Sequence, residues 1–138
     1  MNKTPSDDFY YALVAFLMQT KQHIVTVAVE HGLTGVQALT LLSLKSRDER
    51  SMTELCKQYD CDASNVTGIV DGLEQKGLVS RQPHPHDRRI KLIHLEEAGR
   101  TVQKKLIADI AGTSPDMFNG LADAEIEQLA ALIQKMNP

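Results

Sequence analysis

Residues from about Ser6 to His31 read as one long helix whose apolar side chains occupy more than one face. Phe9, Tyr10, Leu13, Val14, Phe16, Leu17, Ile24, Val25, Val27 and Val29 run around it until Gly32 provides a stop. A helix that is apolar on two sides must be covered on two sides. A chain of 138 residues builds one modest core, which covers one of those sides. The other side asks for a second subunit.

Thr34 and Gln37 have the spacing of a capping box and open a second helix running to about Ser46. Ser51-Met52-Thr53-Glu54 repeats that spacing and opens a short third helix to about Tyr59. Asp62 is the expected cap of a fourth, in which Val66, Ile69, Val70 and Leu73 fall at i, i+3, i+4 and i+7. One stripe is therefore buried, and Gly77 ends the helix. Leu78 to Gln82 and Ile90 to Leu95 are short β-type runs, with Pro83 to Arg89 between them as a hairpin tip. A helical pattern resumes near Glu96 and fades at Gly112-Thr113-Ser114-Pro115. A last helix, about Asp123 to Met136, places Ile126, Leu129, Leu132, Ile133 and Met136 on one side. The fold class is mainly α with a small β-hairpin.

Charge locates the working surface. The whole chain carries −3, but Lys76 to Lys105 alone carries +5, leaving −8 for the remainder. A basic segment on an acidic body presents one face to a polyanion. The longest uncharged run, His31 to Leu44, has 14 residues and is too short to span a bilayer. Asp7 and Asp8 stand where a signal peptide carries positive charge, so a cytoplasmic protein is expected.

Two helices joined by a tight turn and followed by a basic hairpin make a winged helix-turn-helix. The second helix of such a pair buries one stripe and offers the other to the major groove. Here the offered positions are Ser64, Asn65, Thr67, Gly68 and Asp71. Asn65 suits a bidentate contact to adenine, and Ser64 or Thr67 suits bases or phosphates. The hairpin adds Arg88 and Arg89 at its tip, with Arg81 and Lys91 on its strands. Double-stranded DNA is the expected partner.

At these residues a family resemblance becomes specific. The run from Asn65 through Asp71-Gly72-Leu73-Glu74-Gln75-Lys76-Gly77-Leu78-Val79 resembles the recognition helix and first wing strand of the multiple antibiotic resistance regulator (MarR) family. Pro85-His86-Asp87-Arg88-Arg89 resembles its wing tip, and Leu95-Glu96-Glu97-Ala98-Gly99-Arg100 the start of its fifth helix. The likeness runs over nearly the whole chain, including Phe118-Asn119-Gly120-Leu121. It implies a homodimeric, ligand-responsive transcription factor, usually a repressor, on a pseudopalindromic operator. It also implies a helical dimerisation region from both termini (1–33 and 100–138) around a DNA-binding lobe at 34–99. A wing arginine entering the minor groove falls on Arg89, with Arg88 as second choice, and the aspartate that positions it on Asp87. Three departures stand out: Gly72 replaces a basic residue common in the family, Gly68 and Gly72 together weaken the helix by about 1 kcal/mol each relative to alanine, and Glu96 replaces a capping threonine.

Other readings are weaker. Cys56 and Cys61 read as ordinary thiols rather than a redox switch, and no cysteine lies in the first helix. The histidines and cysteines lack the spacings of a zinc site, so neither metal nor cofactor is expected. Tyr10, Tyr11, Phe16 and His23 are either core or the lining of a pocket for a small aromatic or phenolic effector, as the resemblance implies. No phosphate-cradling glycine loop or Gly-x-Ser-x-Gly elbow supports an enzyme. With no tryptophan there is no evident stacking platform for single strands. The alternative in a different class is a winged helix used as a protein-interaction module.

Overall fold

The computed structural model describes residues 4–44, 49–59, 63–113 and 115–136, and the elements below are those of the described residues. Helix α1 (Asp7–Glu30) starts at Ser6, whose hydroxyl accepts from the Phe9 N–H at 3.3 Å. It ends in a Schellman turn: Gly32, at φ +69°, donates to the Val29 carbonyl, and Leu33 donates to the Ala28 carbonyl at 2.9 Å. Helix α2 (Gly35–Ser43) carries the full capping box, with Gln37 N–H on Thr34 Oγ1 at 3.1 Å and Thr34 N–H on Gln37 Oε1 at 3.0 Å. Ser51 caps helix α3 (Met52–Tyr59) through the Glu54 N–H at 3.1 Å. Helix α4 (Ala63–Gln75) closes in a second Schellman turn at Gly77, φ +71°, which leads into the sheet. The expected caps and stops hold except at Asp62, which lies outside the described residues with Ser46, Cys61 and Ser114.

The sheet departs from expectation twice. It has three strands rather than two: β1 (Glu49–Ser51), β2 (Val79–His84) and β3 (Asp87–Leu95), antiparallel in the order β1-β3-β2. Glu-Arg-Ser carries no β-type signal, and it becomes a strand only because β3 offers it an open edge, with Arg50 opposite Ile93. The strands also run to the tip, so that Pro83 to Arg89 is no loop and the turn narrows to Pro85 and His86. Pro83 is tolerated because β2 is an edge strand, and the register shifts at Pro83/His84. Helices α5 (Glu97–Thr113), α6 (Pro115–Phe118) and α7 (Asp123–Met136) complete the chain.

The core lies in the middle of the chain. Leu41, Leu44, Leu55, Val66, Val70, Leu73, Ile93, Leu95 and Leu106 form it, and α1 contributes only Val27 and Ala28 among its buried residues. Buried Gln103 donates from Nε2 to the Leu41 carbonyl, tying α5 to α2. Asp109 on α5 meets His31 Nε2 at 2.6 Å. The Glu96 side chain is used on the sheet: its carboxylate accepts from Ser80 Oγ at 2.6 Å, while its carbonyl accepts the Arg100 N–H at the start of α5. Gly99 is required, because a Cβ there would collide with the Leu78 carbonyl oxygen and come within 2.7 Å of Leu95 Cδ1.

Both terminal helices are bare. Phe9, Tyr10, Tyr11, Leu13, Val14, Leu17 and Met18 are exposed on α1, and no residue of α7 is buried. By length and composition α1 also suffices to cross a membrane, a possibility the expectation from run 31–44 did not touch. Its last turns have a protein environment instead, with Val27 and Ala28 in the core and His23 Nε2 3.2 Å from the Ile110 carbonyl oxygen.

Candidate nucleic-acid interface

The i, i+3, i+4, i+7 pattern on α4 does what it predicts. Val66, Val70 and Leu73 are buried and Ile69 is half-buried against the core, while Asn65, Thr67, Gly68 and Asp71 face outward. Ser64 lies in the first turn of α4, and its side chain is outside the described residues. Nothing stands within 4 Å of a Cβ placed on Gly68, so that stretch of the outward face is flat and open. Gly72 is more closely packed. A Cβ there would run into Nε2 of Gln37, the side chain that completes the α2 capping box. A larger residue at 72 would require the end of the Gln37 side chain to shift.

The wing tip is organised by one carboxylate. Asp87 Oδ1 accepts from the backbone N–H of Arg89 at 3.1 Å and from its Nε at 3.1 Å, and Oδ2 accepts from Nη2 at 3.2 Å. The arginine side chain is 91% exposed while the aspartate is 33% exposed, so an anchored carboxylate holds a fully projecting cation. These bonds from Arg89 hold the Asp87 carboxyl below the usual carboxylate range, with His84 adding to the effect. Arg88 and Lys91 are exposed beside it. A guanidinium locked in orientation and open to solvent is an anion-recognition group with its conformational freedom already reduced.

Arg81, expected on the same surface, points elsewhere. Its guanidinium turns onto α4, with Nη2 2.5 Å from Asp71 Oδ1 and 3.2 Å from the Thr67 carbonyl oxygen, and Nη1 3.3 Å from Glu74 Oε1. Its backbone N–H donates to Glu74 Oε2 at 3.1 Å. The legible signal was on α4, where Thr67, Asp71 and Glu74 follow at i, i+4 and i+7 on one stripe facing β2.

The four residues proposed for an effector do not converge. Tyr10 and Tyr11 share a hollow of about 440 Å³ with Asp7 and Val14. Phe16 packs edge-on against Phe118 of α6, with centroids 6.5 Å apart, and His23 meets the Ile110 carbonyl on α5. Cys56 is half-buried against the core. Among the described residues no group of three or more His, Cys, Asp or Glu side chains is placed to hold a metal ion.

The model of the MarR family matches residues 33–91, which span α2 to most of β3. Residues 33–91 are thus similar to a MarR-family domain. The fold of the chain is that of MarR-family transcriptional regulators over almost its full length. A MarR-family transcriptional regulator from Rhodococcus sp. RHA1 is 26% identical, with 98% of this chain and 96% of that chain covered at a TM-score of 0.77. CouR from Rhodococcus jostii RHA1, solved bound to p-coumaroyl-CoA, is 28% identical, with 98% and 95% covered at 0.72. The C80S mutant of MarR from E. coli, solved with operator DNA, is 21% identical, with 96% and 95% covered at 0.72.

Proposed function

We propose that this protein is a cytoplasmic, homodimeric transcriptional repressor that binds a pseudopalindromic operator and is released by a small aromatic or phenolic effector. The carrying observation is the Asp87-locked Arg89 at the tip of the hairpin whose strand β2 packs against α4, together with the open polar face of α4. A helix that fits the major groove and an oriented cation at a wing tip are the two parts that sequence-specific duplex recognition needs. Asn65, Thr67 and Gly68 would meet bases, with Ser64 at the same end of the helix. Arg89 would enter the minor groove, and Arg88 and Lys91 would meet phosphates. E. coli MarR, which shares the fold, is solved on operator DNA.

The bare apolar faces of α1 and α7 support the dimer, since a monomer would leave them in water. The effector reading draws on CouR, solved with p-coumaroyl-CoA, and on the Tyr10–Tyr11 hollow, which a second subunit would close. Phe16 and His23 lie deeper along the same helix, toward α5 and α6.

The test is selection from a random-sequence duplex pool with the full chain, followed by binding titrations with and without simple phenolic acids. A recovered twofold-symmetric site with half-site centres about one helical turn apart is expected. A pool that returns no preferred sequence, with binding to partner proteins intact, would favour the interaction-module reading.

A further inference from the structure

We infer that Arg81 is a positioning residue for DNA binding, locking the recognition helix to the wing and partly offsetting the two carboxylates that α4 presents beside its reading face. The inference rests on the DNA-binding reading above. Arg81 stands on β2, yet its side chain grips α4 at three points: Asp71 Oδ1, Glu74 Oε1 and the Thr67 carbonyl oxygen. Glu74 closes the loop by accepting from the Arg81 backbone N–H, so helix and strand hold each other through side chain and main chain alike.

Two consequences follow. The first is geometric: helix and wing must enter adjacent grooves together, and a planar fork with several fixed donors sets the angle between them better than a lysine point charge. The second is electrostatic. Asp71 and Glu74 are about half exposed, on the helix that approaches a polyanion. Left uncompensated, they would repel the phosphates that Arg88, Arg89 and Lys91 attract. A guanidinium that is committed to these acceptors and only 23% exposed is a poor phosphate ligand, which separates Arg81 from the projecting Arg89. Partly exposed ion pairs add little to folding stability, so loss of the clamp should appear in binding far more than in melting.

The test uses the full chain and a duplex enriched from a random pool by the unmodified protein, titrated over a salt series. Arg81→Gln should weaken binding by about tenfold, and Asp71→Asn/Glu74→Gln/Arg81→Gln should regain the electrostatic share of that loss, about threefold, but not the share due to the fork. The slope of log K against log salt should fall by well under one per subunit in Arg81→Gln, because salt screens the uncovered carboxylates while no phosphate contact has been removed. Amide exchange at Arg81 and Gln82 should quicken in Arg81→Gln with DNA absent. Arg81→Lys keeps the charge without the fork, should lose about threefold, and decides the matter if Arg81→Gln does not fold. Undiminished binding by Arg81→Gln (or by Arg81→Lys in its place) overturns the inference, as does a triple variant that binds no better than Arg81→Gln or a slope that falls by about one per subunit. If the unmodified protein enriches no duplex, the DNA-binding reading fails. Enrichment followed by any of the other contrary outcomes sinks the clamp alone.

Discussion

Asp87 grips Arg89 with both carboxylate oxygens, Oδ1 3.1 Å from Nε and Oδ2 3.2 Å from Nη2, while the guanidinium stays open to solvent. A fork held this way is pre-oriented, so binding loses less side-chain entropy when the fork meets its anion. The pair lies two residues apart at a turn, so the lock is local and does not depend on the core.

The lock makes a prediction whose sign is opposite to simple charge counting. Asp87→Ala removes a negative charge from the surface proposed to meet DNA, yet it should weaken duplex binding because Arg89 loses its orientation. Arg89→Ala should weaken binding and lower the magnitude of the log K against log salt slope by about one per subunit. Fluorescence anisotropy at three salt concentrations measures both, and tighter binding by Asp87→Ala would refute the lock.

The same pair predicts a titration. Arg89 holds the Asp87 pKa down, so the pair is complete above the ordinary aspartate value and is lost only as pH falls through the lowered one. Wing binding should therefore show no step from Asp87 at or above the ordinary carboxylate range. The carboxyl carbon shift of Asp87, followed by NMR, should titrate below that of an exposed aspartate in the native chain and move part of the way back in Arg89→Ala, which removes the side-chain bonds but keeps the backbone N–H.

Readout by α4 should be specific in sequence. Asn65→Ala is expected to cost about 1–3 kcal/mol on the selected duplex and to relax preference at one base pair in each half-site. Equal weakening on selected and scrambled duplexes would show that Asn65 reads no base.

Two glycines should respond in opposite directions. Gly68→Ala meets open space in mid-helix and should stabilise the fold by about 1 kcal/mol. Gly99→Ala drives a methyl into the Leu78 carbonyl, a backbone atom that cannot step aside, and should destabilise by about 1–3 kcal/mol. Urea unfolding at one fixed protomer concentration compares them, since subunit association shifts apparent stability.

Assembly should depend on α7. Leu132 and Ile133 are half exposed on an element with no buried residue, so Leu132→Asp/Ile133→Asp should convert the dimer to monomer or insoluble protein. Sedimentation equilibrium at micromolar concentration measures the change, and a dimer unaffected by both charges would remove α7 from the interface.

The local chemistry of this fold was legible because it acts over a few residues. Thr34 and Gln37 cap α2 reciprocally, and Gly32 and Gly77 alone accept the left-handed backbone of their turns. The α4 stripe separates buried Val66, Val70 and Leu73 from the outward Asn65 and Thr67 by helical periodicity alone. Asp87 and Arg89 are close enough in sequence that their pairing needs only the turn between them.

What the tertiary structure decided is every relation between distant residues. Glu49-Arg50-Ser51 is a strand because β3 has a vacant edge, and nothing in those three side chains asks for one. The end of the Gln37 side chain lies against Gly72, and Glu96 finds Ser80 across the start of the wing. Arg81 is the sharpest case. Its composition suits phosphate, and only the packing of β2 on α4 brings Asp71, Glu74 and the Thr67 carbonyl within its reach. A side chain takes the acceptors that the fold places nearest, and sequence periodicity orders neighbours along one element while leaving undetermined which element lies alongside.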